Sequence, residues 1–104
     1  MTQTEIERRH DEAEAHIHAT VMNELCEVMH RSGLPPMAVL RLAARSIGAI
    51  YREMADAHSG IEPCPCGWRP YPATDIELLG MALMTACERR RTNDLRLMRI
   101  AGTA

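Results

Sequence analysis

Pro36-Met37-Ala38-Val39-Leu40-Arg41-Leu42-Ala43-Ala44-Arg45-Ser46-Ile47-Gly48-Ala49-Ile50-Tyr51-Arg52-Glu53-Met54-Ala55-Asp56-Ala57-His58 is the stretch that decides the fold. Leu40, Ala43, Ile47, Ile50, Met54 and Ala57 recur in strict alternation of three and four residues. That is the a/d seam of a heptad helix, since a strand would need apolar residues at every second position. A second apolar line, Val39, Leu42 and Ala49, flanks the seam, and Arg41, Arg45 and Arg52 mark a solvated side. Two apolar edges favour burial against more than one neighbour. A heptad seam can close an antiparallel pair within one chain or join two chains, and spacing leaves that choice open.

Upstream, Ser32-Gly33 gives a helix stop and Pro35-Pro36 a start, because glycine takes the left-handed terminal conformation and proline fits the first helical turn. Residues 1–31 read as a first long helix, opened by Thr2 or Thr4 with Glu5 or Glu7 three positions on, the capping-box pattern. Its apolar stripe is Ile17, Val21, Leu25 and Val28, with Ile6, Met22 and Met29 beside it. Towards His10, Ala13 and Glu14 the stripe fades, so the first turns are expected to be exposed, frayed or in contact with another chain. Downstream, residues 59–73 hold four of the six prolines, two cysteines, the only Trp and one of two Tyr. This segment is a loop, and loops longer than about 12 residues are uncommon in compact domains unless functional or clipped in place. Thr74-Asp75-Ile76-Glu77 offers a capping box for a third helix over 74–91, with Ile76, Leu79, Leu83 and Ala86 on its apolar face. Residues 92–101 either continue that helix or form a short fourth one.

The 104 residues make one domain, because chains divide their cores only beyond roughly 250 residues. Eight Met, no Phe and no Lys among twelve basic residues, in a chain rich in Ala and Leu, lean towards an all-α architecture. The expected fold is three long helices with a Pro/Cys-rich loop, assembled as a helical-bundle homodimer. A formal charge of −2 disfavours a protein that coats nucleic acid, whose affinity rests on phosphate neutralisation. No apolar run approaches the roughly 20 residues that span a bilayer, and the polar start resembles neither a secretory signal nor a transit peptide. The expected location is cytoplasmic, with Cys26, Cys64, Cys66 and Cys87 as thiols or metal ligands.

Cys64-Pro65-Cys66-Gly67 is the sharpest chemical signal. Two sulfurs converge on a turn constrained by Pro and Gly, and structural zinc takes Cys and His in sets of four. Further ligands could come from Cys26 and His30, four apart on one face of the first helix, or from His58. The plainer reading is two ordinary thiols in a loop packed by Trp68, with Cys26 and Cys87 as small core residues. Glu7-x-x-His10 and Glu27-x-x-His30 match the spacing of di-iron bundles, but both lie on one helix and such a site needs facing helices. Arg89, Arg90 and Arg91, with Arg96 and Arg99, form a basic run that could hold an acidic partner or simply offset a helix dipole. The first 31 residues, by contrast, hold seven acids against three arginines. No Gly-x-Ser-x-Gly and no phosphate-cradling loop is present, so the expectation is a non-enzymatic protein.

Gly33-Leu34-Pro35-Pro36, followed by a long helix with Val39, Leu42, Ile47, Arg52 and Ala55 in register, a cysteine-bearing loop and a helix containing Ile76-Glu77, resembles the TraM family of quorum-sensing antiactivators. The resemblance covers about the middle half of the chain; the longer first helix and the Cys-Pro-Cys-Gly-Trp loop depart from it. It implies a dimeric helical protein that binds a LuxR-type transcription factor and blocks its DNA binding.

The sequence thus supports a regulator that occludes a partner protein, with Trp68, Arg69, Tyr71 and the Arg89 to Arg91 run as candidate contacts. The first alternative is a zinc-binding helical domain using Cys64 and Cys66 with Cys26/His30 or His58, structural or sensory. The second is a helix-turn-helix DNA binder turning at Ser32 to Pro35, with Arg41, Arg45 and Arg52 facing phosphate, made less favourable by the acidic chain and the paired prolines.

Overall fold

The computed structural model describes residues 2–62 and 64–103, with side chains through Glu88. Among these residues the chain is all-α, with no strand: α1 spans Gln3–Ser32, α2 Pro36–Ala57 and α3 Pro72–Thr103. The backbone divides into two compact units, Met1–Met54 and Ala55–Ala104.

In the first unit, Thr2 is the N-cap of α1. Its hydroxyl accepts from the Glu5 amide at 3.2 Å while the Glu5 carboxylate accepts from the Thr2 amide at 3.4 Å, a complete capping box. The helix stops where expected. Gly33 adopts the left-handed conformation, φ 71°, and its amide donates to the Met29 carbonyl at 2.9 Å. Ser32 finishes the turn locally, donating its hydroxyl to the Val28 carbonyl at 2.6 Å and accepting from the Leu34 amide at 3.1 Å. With Gly33 past the end of α1 and Pro36 opening α2, three residues suffice to connect the two helices.

Burial in this unit is sparse. Among its described residues Val39, 3% exposed, is the one buried apolar residue, and Leu25, Met29, Ala38 and Ala43 are half-buried around the closed end of the hairpin. The seam residues are not covered: Leu40 is 48% exposed, Ile47 55% and Ile50 49%. Ile17, Val21, Met22 and Val28 of the α1 stripe are exposed as well.

In the second unit, α3 differs from expectation at both ends. It begins at Pro72, not Thr74, and runs to Thr103, so Thr92-Asn93-Asp94 continues the helix and no separate fourth helix forms among the described residues. Pro72 occupies the first helical turn, where its missing N–H costs nothing. Asp75 reaches back to accept from the Tyr71 amide at 2.9 Å, while its own amide donates to the Tyr71 carbonyl at 2.8 Å. This reciprocal pair replaces the Thr74/Glu77 box as the start signal. Further on, Asn93 and Asp94 are only modestly poor helix formers among Arg, Leu and Met, too weak a break to end the helix. Ile76, Leu78, Leu79, Met81, Leu83 and Met84 are all exposed.

Candidate functional site

The loop between α2 and α3 is positioned from its first residues. The His58 amide donates to the Ala55 carbonyl at 3.1 Å, and Ser59 follows the helix with its amide to Asp56 at 3.3 Å and its hydroxyl to Ala55 at 2.7 Å. The imidazole of His58 is therefore carried on the final turn leaving α2. Six residues later Cys64-Pro65-Cys66-Gly67 folds into a tight turn, the Gly67 amide donating to the Cys64 carbonyl at 3.5 Å. Gly67 closes it at φ 89°, a conformation that residues with a Cβ rarely adopt.

The turn brings three ligand-type side chains together. A ring nitrogen of His58 and the sulfurs of Cys64 and Cys66 lie within 4.8 Å of one another, all in the second unit. His58 and Cys64 are half-buried and Cys66 is exposed. Trp68 stands edge-on to His58, with ring centroids 4.9 Å apart and planes at 80°. The Cys66 thiol is held below the ordinary thiol range, first by the backbone N–H of Trp68, then by hydrogen bonding from Cys64, with a smaller contribution from His58.

Of the ligands proposed from spacing, the structure thus unites His58 with Cys64 and Cys66. Cys26 and His30 lie on α1 in the first unit, both exposed, and belong to no group of three close-set ligands among the described residues. His10, Asp11 and Glu14 make a second close-set group, but all three are exposed on one helix, where acidic side chains commonly gather without an ion. Cys87 is an exposed thiol on α3, not a core residue.

The partner-contact candidates of the loop are on the surface. Trp68 is 37% exposed and Tyr71 67%. Arg69 turns back on its own backbone, donating to the Trp68 carbonyl at 3.0 Å. The side chains of Arg89, Arg90 and Arg91 lie outside the described residues. Arg41, Arg45 and Arg52 are exposed on α2.

No helix among the described residues is long and apolar enough to cross a membrane. Comparison with protein families, curated proteins and solved structures gives no match to this chain.

Proposed function

We propose that this chain is a non-enzymatic helical interaction protein that pairs with a second copy of itself and occludes a partner protein. The observation that carries the reading is the uncovered heptad seam on α2, where Leu40, Ile47, Ile50 and Met54 each keep about half their surface in water. A seam of that regularity is selected for packing.

Among the described residues Val39 is the one buried apolar side chain, so little apolar burial offsets the conformational entropy of ordering the helices unless association supplies it.

The resemblance of the Gly33-Leu34-Pro35-Pro36 turn and the helix after it to the TraM family suggests the partner's class, a transcription factor of LuxR type held away from its operator. The acidic first helix suits a basic partner surface, and exposed Met22, Met54, Met81 and Met84 supply adaptable apolar contacts. The test is direct. Purified chain is weighed by light scattering, then titrated into a LuxR-type activator bound to operator DNA. A dimer mass and release of the DNA support the reading; an activator that keeps its DNA at saturating chain removes the antiactivator role.

A further inference from the structure

We propose that His58, Cys64 and Cys66 form a binding site for a zinc-class divalent cation, a Cys2His set whose fourth corner is open to water or an external donor. The site is separate from the apolar helix faces that carry the proposed association.

Geometry is the first argument. In a tetrahedral zinc site, with metal–sulfur distances of 2.3 Å and metal–nitrogen distances near 2.05 Å, neighbouring ligand atoms stand about 3.6–3.8 Å apart. The three ligand atoms here lie within 4.8 Å of one another. Closing them on an ion takes shifts of about an ångström, within the reach of side-chain rotation on a turn.

Local construction is the second. The two cysteines stand two apart across Pro65, and Gly67, with its positive φ, closes the turn that presents both sulfurs on one side. His58 comes from the other end of the loop, so an ion would tie the end of α2 to the Cys-Pro-Cys turn. Such a tie would hold a proline-rich segment with little apolar burial in place on a helical scaffold.

Ligand chemistry is the third. Two thiolates and an imidazole select zinc over magnesium or calcium, which take oxygen donors. Trp68 packs against the imidazole in a T-shaped contact, with centroids 4.9 Å apart, and favours one ring orientation. Three protein ligands are the number found where zinc keeps an exchangeable position, so the site suits reversible binding as well as structural clamping.

Trp68, the only tryptophan, is a built-in reporter. The full chain, with its thiols reduced, is titrated with Co²⁺ and then with Zn²⁺. One Co²⁺ per chain should bind with visible ligand-field bands and a near-ultraviolet thiolate charge-transfer band, quenching Trp68 fluorescence; Zn²⁺ should then displace it and restore the fluorescence. Cys64→Ser and Cys66→Ser should each weaken binding roughly 100-fold, and His58→Gln by roughly 10–100-fold. Cys26→Ser and Cys87→Ser should bind as the parent does. Circular dichroism of every variant checks that the helices persist, and the mass of each sample is read alongside, so loss of metal and loss of association are told apart. Absence of the charge-transfer band at equimolar metal overturns the site. So does full-affinity binding by the Cys64→Ser/Cys66→Ser double variant, or loss of binding in Cys26→Ser.

Discussion

The indole of Trp68 meets the imidazole of His58 edge to face, with centroids 4.9 Å apart and planes at 80°. That contact joins the last turn of α2 to the far side of the Cys-Pro-Cys turn. Edge-to-face pairs contribute about 0.5–1.5 kcal/mol beyond the area they bury, and the exposure of Trp68 places this one towards the low end. Its larger effect is orientation. Trp68→Leu should free the imidazole, erase the ring-current shift of the His58 ring protons in NMR spectra, and weaken Co²⁺ binding about tenfold. Trp68→Phe should retain most of both. Unchanged His58 shifts in Trp68→Leu would show that the contact is not kept in solution.

Gly33 isolates the cost of backbone strain. Its φ is 71° and an added Cβ meets nothing within 4 Å, so Gly33→Ala introduces no clash. The left-handed conformation alone should destabilise the fold by about 1–2 kcal/mol. Denaturant unfolding at matched chain concentration measures it. A change inside the ±0.5 kcal/mol or so typical of surface substitutions would mean that α1 ends differently.

At the start of α3 two candidate caps compete. Asp75 accepts from the Tyr71 amide, so Asp75→Ala should cost about 1 kcal/mol, the usual worth of a capping side chain. Thr74→Ala should be nearly silent. The reverse ranking in thermal unfolding would restore the Thr74/Glu77 box as the true start.

Cys66 carries a pH dependence in the metal-free protein. Its thiol lies below the ordinary range, so near neutral pH a larger fraction is thiolate than in an unperturbed cysteine. Iodoacetamide should therefore modify Cys66 faster than a cysteine in a short model peptide at pH 7. The advantage should shrink as pH rises through about 8.5, where ordinary thiols ionise too. Peptide mapping of the labelled chain reads the rates; a ratio independent of pH would contradict the lowered thiol.

The legible parts of this sequence are those whose signals act locally. Gly33 and Pro36 end one helix and open the next through their own backbone preferences, and the structure puts both boundaries where the residues put them. Thr2 and Thr4 offered two overlapping caps, and only the hydrogen bonds distinguish Thr2. Thr74 misled because its capping pattern was real in sequence, while the competing signal, Pro72 preceded by Tyr71 and answered by Asp75, spans five residues and matches no common motif. In the loop, Cys64 and Cys66 announced themselves by spacing. The third ligand did not, because Cys26/His30 and His58 were equivalent until the chain path was known. His58 is the one that lies within reach of both cysteines, six residues before Cys64. Least legible was the exposure of the seam itself. Periodicity shows that a face wants burial, and it does not show which chain supplies it.

Dependence of folding on association is therefore the claim to test most directly. Helicity is followed by circular dichroism while the chain is diluted from micromolar to nanomolar, with mass read by sedimentation. The expectation is cooperative loss of helix as the assembly dissociates, and a denaturation midpoint that rises with chain concentration. Ile50→Glu, placing a charge on the half-exposed seam, should shift the dissociation to higher concentration by at least tenfold, since full burial of such a side chain is worth about 1.5–3 kcal/mol. Arg45→Glu, on the solvated side, should not. A fully helical monomer of 11.7 kDa, with helicity and midpoint unchanged on dilution, would contradict the account.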